Sequence, residues 1–96
     1  MNFMDGKPRL ARKARLKKDP QTGRMMLIYP ERGLELSTTA AAIAELCTGD
    51  RTARDIIQAM LERFDENDRG RVEGEVEAFL RSLVDRGLLI VDEEVQ

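Results

Sequence analysis

Carboxylates are the most abundant side chains in this sequence that could do acid–base or metal chemistry. Glu73, Glu75 and Glu77 alternate along one predicted helix. Residues two apart on a helix do not face each other, so we interpret these glutamates as a solvated face rather than as a catalytic pair. The acidic run at residues 65–68 lacks the ligand spacing and the closing bidentate Glu of an EF-hand. It is therefore predicted to be a connector between helices.

The remaining side chains give little support for nucleophilic, redox or metal chemistry. The 96 residues include no histidine and a single cysteine, Cys47, which excludes imidazole ligands and an internal disulfide. Cys47 follows an apolar helical stretch and has no basic neighbour in sequence, which is typical of a buried small hydrophobe. The glycines are scattered singly, so no phosphate-binding loop is predicted. We expect no enzymatic activity, no metal and no cofactor.

Hydrophobic periodicity and turn residues predict a single α+β domain. Apolar residues first alternate with polar ones, as in strands, and later recur every three to four residues, as in helices. The predicted architecture resembles a winged helix-turn-helix, with a three-stranded antiparallel sheet followed by three helices. The predicted elements are strands at residues 9–17, 25–29 and 34–36, helices beginning near Ser37, Thr52 and Val72, and a possible last strand at residues 88–91.

The two ends and the length of the sequence predict its domain organisation. Residues 1–8 show no periodic pattern, so we expect a flexible N-terminal arm followed by one domain over residues 9–96. A chain of this length can bury one modest core. No stretch approaches the roughly 20 apolar residues of a membrane span, and the N-terminus lacks the apolar region of a signal peptide. We therefore expect a cytoplasmic protein with no membrane partner.

The charge is divided along the chain. Residues 1–24 carry a net charge of +6, whereas residues 25–96 carry −8. A basic segment can bind nucleic acid, or it can dock on an acidic helical face of the same or a neighbouring molecule. Because the predicted third helix is acidic and repels phosphate, we expect no nucleic-acid partner. A winged-helix nucleic-acid binder remains the alternative, and a homodimer that exchanges residues 9–15 is a third hypothesis.

The segment from Leu27 to Cys47 sets a short strand edge directly against a capped helix. Pro30 cannot donate to a β ladder, Gly33 permits a turn, and the strand that follows is short. Such an edge offers unpaired backbone N–H and C=O groups, to which an extended peptide can add as a further strand. The pattern is equally consistent with another arrangement. In that arrangement Leu34 and Leu36 are ordinary core residues, and the basic N-terminal segment covers the edge of the strand.

The same segment resembles PqqD, a family of small peptide chaperones in pyrroloquinoline quinone biosynthesis. Members are the stand-alone form of the precursor-peptide recognition element found in pathways of ribosomally made, modified peptides. The likeness spans roughly residues 9–91. The residues that carry it are Tyr-Pro-Glu at 29–31, Leu-Glu-Leu at 34–36, the Ser/Thr cap, Ala-Ala-Ala-Ile at 40–43, Leu-Cys at 46–47, Gly49, Arg-Thr at 51–52 and Leu-Glu-Arg-Phe at 61–64.

This resemblance implies a fold, a ligand and a partner. It implies a non-catalytic chain that binds the precursor peptide PqqA along the third strand, in a cleft bordered by the third helix. It also implies presentation of that peptide to the radical S-adenosylmethionine enzyme PqqE, which joins a Glu and a Tyr of the precursor and holds the iron–sulfur clusters itself. The implied peptide contacts are Arg32, Gly33, Leu34, Glu35 and Leu36 on the strand and Val76, Phe79, Leu80 and Leu83 on the helix.

Overall fold

The protein folds as five strands and three α-helices in the computed structural model, which describes residues 2–30 and 32–92. The chain begins with a 3₁₀ helix, Phe3–Asp5, and a second 3₁₀ helix, Glu66–Asp68, precedes the last α-helix. The other elements are β1 Lys7–Leu10, β2 Arg15–Lys18, β3 Met25–Tyr29, β4 Arg32–Glu35, α1 Thr38–Glu45, α2 Ala53–Leu61, α3 Arg69–Asp85 and β5 Leu89–Asp92.

The predicted three-stranded antiparallel sheet is present and consists of β2, β3 and β4, in that order. Leu16, Leu27 and Leu34 lie opposite one another across the three strands and so share one face. Leu27 is fully buried and all three leucines belong to or pack against the hydrophobic core, so this face looks toward the helices. The α+β fold class, with this sheet and three helices, is confirmed.

The first eighteen residues differ from expectation in two ways. Residues 3–5 form the 3₁₀ helix, Pro8 is buried, and β1 pairs antiparallel with β5, where a flexible arm was predicted over residues 1–8. The strand predicted over residues 9–17 is split, because the chain turns between Ala11 and Ala14, whose backbones are joined by a 2.9 Å hydrogen bond. Both alanines are buried. Ala14 has the same parity as Leu10 and Leu16, so the local pattern resembles one continuous strand although the chain turns here.

The first two helices begin where the sequence predicts, whereas α3 begins at Arg69, three residues before the predicted Val72. The Ser37 side chain accepts a hydrogen bond from the Ala40 N–H at the start of α1. Thr52 and Asp55 form a reciprocal capping box at the start of α2. Gly87 adopts a left-handed backbone, with φ of +75°, directly after the C-cap of α3. The predicted last strand is also present as β5, which the turn at Gly87 directs against β1.

Candidate functional site

β4 is an edge strand with one side unpaired in the described part of the chain. It bonds to β3 on one side, and no strand among residues 2–30 and 32–92 lies on the other. The hairpin between β3 and β4 is tight, since Tyr29 and Arg32 are directly opposite partners on either side of Pro30. An extended chain can therefore approach the free side of β4 and continue the sheet.

The hydrogen-bond pattern shows which backbone groups of β4 point outward. The Leu36 N–H donates to the Met25 carbonyl at 2.9 Å, so Leu36 belongs to a hydrogen-bonded pair with β3. Such pairs alternate along an antiparallel ladder, which directs the backbone of Leu34 toward β3 as well. The N–H and C=O groups of Gly33 and Glu35 therefore point to the free edge. These four groups are the ones that a docked strand would bond.

An apolar cavity of about 340 Å³ opens beside this edge, between α1 and the first half of α3. Its wall begins at Ser37, two residues after β4 ends. The floor is made of aliphatic and aromatic side chains and the rim of polar and charged ones, which is the usual composition of a binding pocket. The lining residues are Ser37, Thr39, Ala40, Ile43, Phe64, Arg71, Val72, Glu75, Val76 and Phe79.

The charged residues at the rim neutralise each other. Arg71 Nη1 lies 3.1 and 3.2 Å from the two carboxylate oxygens of Glu75, one helical turn along α3. Arg71 Nη2 also lies 3.7 Å from Asp68 Oδ1. Because all three side chains are about half exposed, these pairs contribute little to stability. Their effect is to leave the cavity mouth without strong net charge, so the apolar floor determines which side chains fit.

The structure separates the nine predicted contact residues into three environments. The exposed group comprises Arg32, Gly33 and Glu35 on the free edge. Leu34 and Phe79 are half-buried, and Phe79 lines the cavity. The core group comprises Leu36, Val76, Leu80 and Leu83, at 5%, 1%, 0% and 1% exposure. Of these four residues, Val76 lines the cavity, whereas Leu36, Leu80 and Leu83 do not.

Sequence reasoning missed part of the cavity wall. Ala40 and Ile43 of α1 line it, although neither is among the nine predicted contact residues. Phe64 lines it from beyond the end of α2 and is likewise not among the predicted contact residues. For Arg71 and Glu75 a signal existed, because oppositely charged residues four apart on a helix form a pair on one face.

Two further clefts lie away from α3. The larger, of about 730 Å³, lies between the β2–β3 hairpin and α1 and is lined by Lys18, Arg24, Glu45 and Arg63 among smaller side chains. Its wall contains no residue of α3 and no outward-facing backbone of β4. The third cleft, of about 270 Å³, lies at the Tyr29 end of the sheet.

The structure offers no arrangement of reactive groups within the described residues. Cys47 is buried, with its Sγ 3.4 Å from the Ile43 carbonyl, and burial raises the pKa of this thiol to about 12. The thiol therefore stays protonated and unreactive at neutral pH. No group of three or more Cys, Asp or Glu side chains in residues 2–30 and 32–92 is placed to hold a metal ion. No helix in the same residues is long and apolar enough to span a membrane.

Comparison with known proteins gives consistent sequence matches. The family model "Coenzyme PQQ synthesis protein D (PqqD)" matches residues 24–89. A "PqqA binding protein" of Rhodopseudomonas palustris strain TIE-1 is 39% identical over 83 residues, which cover 86% of this chain and 80% of the relative. A protein of the same name from Azotobacter vinelandii is 39% identical over 61 residues, covering 64% of this chain and 66% of the relative.

Two solved structures have similar folds. The solution structure of the PqqD truncation of Methylobacterium extorquens PqqCD, described as a functional and stand-alone recognition element for ribosomally synthesised and modified peptides, matches with a TM-score of 0.71. It is 29% identical and the match covers 93% of both chains. Lasso peptide synthetase B1, solved in complex with a leader peptide, matches with a TM-score of 0.70 at 21% identity, over 88% of this chain and 98% of that one. The second match concerns the fold alone.

Proposed function

This chain belongs to the PqqD family, and from that premise we propose that it is a non-catalytic chaperone that binds the precursor peptide PqqA along β4 and presents it to the enzyme PqqE. The observation that carries this proposal is the unpaired edge of β4 beside the apolar cavity against α3. An edge and an adjoining pocket are the two parts that strand addition requires.

In the proposed complex the backbone and the side chains of the peptide have separate tasks. The outward backbone groups of Gly33 and Glu35 bond to the peptide main chain and fix its register. Alternate peptide side chains then point to the helix-facing side of the sheet. There an apolar side chain enters the cavity and contacts Phe79 and Val76. The cavity of about 340 Å³ suits one aromatic or large aliphatic side chain.

The chaperone presents PqqA by holding the peptide close to PqqE. The chaperone raises the effective concentration of the peptide at the enzyme without any bond-making chemistry of its own. In this proposal the modifying chemistry and its cofactors belong entirely to PqqE. The Glu–Tyr cross-link that PqqE forms in PqqA should accordingly appear faster with the chaperone present, at peptide concentrations well below saturation.

A titration of ¹⁵N-labelled protein with PqqA tests the binding mode. We expect the amides of Gly33 and Glu35 to shift first, followed by α3 amides near Phe79, because these groups face the proposed peptide. Amides of β2, at the opposite edge of the sheet, provide the internal control. Saturable binding that leaves residues 32–36 unperturbed would rule out strand addition. If no amide shifts at all, the assignment of PqqA as the ligand is wrong.

A further inference from the structure

The face of the sheet that points away from the helices has its own pattern of side chains. Because Leu16, Leu27 and Leu34 face the core, the neighbouring residues on each strand face outward. Two outward rows result from the strand register: Arg15, Ile28 and Gly33 form one, and Lys17, Met26 and Glu35 form the other. We call the surface made by these two rows the outer sheet face.

The centre of the outer sheet face is apolar but is not part of the core. Met26 and Ile28 are half-buried, and within the described residues neither belongs to the core cluster or packs against it. Both lie over Gly33, where a Cβ atom would stand 3.2 Å from Ile28 Cδ1 and 3.3 Å from Met26 Cε. Gly33 thus lets the two side chains extend across β4, which widens the apolar centre.

Basic side chains border this centre. Arg15 and Lys17 lie beside it on β2, and the shallow third cleft continues the same side with Arg12, Lys13 and Arg15. None of these cations forms an ion pair in the described part of the chain. The one acid of the face, Glu35, is paired with Arg24. The surface is therefore strongly positive although the whole chain carries −2.

The cations of the outer sheet face lie away from the peptide site, although Gly33 and Glu35 of β4 belong both to this face and to the free edge. The cavity is on the helix-facing side of the sheet, and the free edge belongs to β4, whereas the cations lie on and before β2 at the opposite edge. A protein that receives the bound peptide must contact the chaperone without displacing that peptide. The part of the outer sheet face on β2 and β3 satisfies this condition.

We propose that the outer sheet face is the docking surface for the modifying enzyme, which meets it with carboxylates arranged around apolar side chains. This inference rests on the proposed function. The apolar centre supplies the buried part of the contact, and the surrounding cations supply orientation and a faster encounter. Loss of the cations should weaken binding of the enzyme and remove its dependence on ionic strength.

Two other occupants fit less well. A symmetric contact between two copies would bring two positively charged faces together. A contact between this face and the acidic α3 of another copy would be head-to-tail and would crowd the peptide cleft. Duplex DNA would contact the cations through its phosphates, but the apolar Met26 and Ile28 would have no phosphate or sugar group to bind.

The test compares two charge-matched variants of the full chain. Arg15→Glu/Lys17→Glu reverses the outer sheet face, and Arg63→Glu/Arg69→Glu makes the same change in net charge elsewhere. We expect the first to weaken binding of purified PqqE by about tenfold or more and to flatten its salt dependence, while the second leaves both within about twofold. Affinity for labelled PqqA should be unchanged in both. A second variant, Met26→Ser/Ile28→Ser, should weaken PqqE binding at every salt concentration.

The outcomes distinguish this proposal from the proposed function. Folded variants that bind PqqE like the wild type, or a wild type that does not bind PqqE, overturn the docking surface even if PqqA binds normally. A wild type that binds PqqE but not PqqA contradicts the proposed function and leaves the docking surface supported. Salt-dependent binding of labelled duplex DNA that Arg15→Glu/Lys17→Glu abolishes would assign the face to nucleic acid. A dimer in sedimentation that the same variant dissociates would assign it to a second copy.

Discussion

Replacing Glu35 by proline should weaken peptide binding without breaking the sheet. The Glu35 N–H points to the free edge of β4, so proline at this position removes a donor that no strand among the described residues uses. Proline is tolerated on edge strands when the missing N–H faces solvent. The residue before it, Leu34, is already extended, as a residue preceding proline prefers to be.

The magnitude follows from one backbone hydrogen bond. A net contribution of about 0.5 to 1.5 kcal/mol per bond corresponds to a roughly two- to thirteenfold weaker affinity for PqqA. The substitution also removes the ion pair between Glu35 and Arg24, whose side chains are 51% and 65% exposed. Glu35→Ala removes the same ion pair but keeps the N–H. The affinity ratio between the proline and alanine variants therefore isolates the backbone bond.

The assay is fluorescence anisotropy of labelled PqqA, with thermal unfolding of each variant as the check on folding. Leu34→Pro provides the contrast, because the Leu34 N–H points to β3, and its loss should lower the melting temperature well below that of Glu35→Pro. Equal affinities of Glu35→Pro and Glu35→Ala would show that the peptide does not use this N–H. Equal melting temperatures of the two proline variants would refute the assigned alternation along β4.

Three further predictions concern the scaffold. Gly74 lies exposed inside α3 and a Cβ there meets no atom within 4 Å, so Gly74→Ala should stabilise the protein by about 1 kcal/mol and raise the melting temperature by about 4 to 8 °C. Thr52→Ala removes the capping box of α2 and should cost about 1 kcal/mol in a denaturant titration, whereas an unchanged midpoint would show that the cap is dispensable. Because burial raises the pKa of Cys47 to about 12, the thiol should react with a disulfide reagent far more slowly at pH 8 in the native protein than in denaturant. The same shift means that stability falls as pH rises from about 9 toward 12, since the unfolded chain loses the proton first.

The local elements could be predicted from sequence, but the long-range pairing could not. Alternation and the caps at Ser37 and Thr52 identified β3 and the first two helices. The ribbon of β1 and β5 joins residues that lie about as far apart as the described chain permits, and no periodic pattern links them. Ala11 and Ala14 fall inside the strand predicted at residues 9–17, because burial in a turn and burial in a strand look alike in sequence.

For a related reason, the sequence indicated the apolar stripe of α3 but not which of its residues line the cavity. Helical spacing placed Val76, Phe79, Leu80 and Leu83 on one apolar stripe of α3, and that much is correct. Which of them lines the cavity depends on how closely the rest of the molecule covers the stripe. Leu80 and Leu83 are enclosed by the core, whereas Phe79 remains half-buried at the cavity. Such differences arise from tertiary packing and have no signature in the spacing of one helix.

The shortness of the β4 edge has a consequence for selectivity. Four outward backbone groups contribute about 2 to 6 kcal/mol at about 0.5 to 1.5 kcal/mol each, whereas association costs an estimated 4 to 15 kcal/mol. Main-chain pairing alone therefore cannot retain an arbitrary extended peptide. The charged Arg32 and Glu35 further discourage β4 edges of different molecules from joining into aggregates. In the proposed complex, discrimination among peptides therefore depends on the pocket at Phe79, and few of the chains that could pair with the edge would bind.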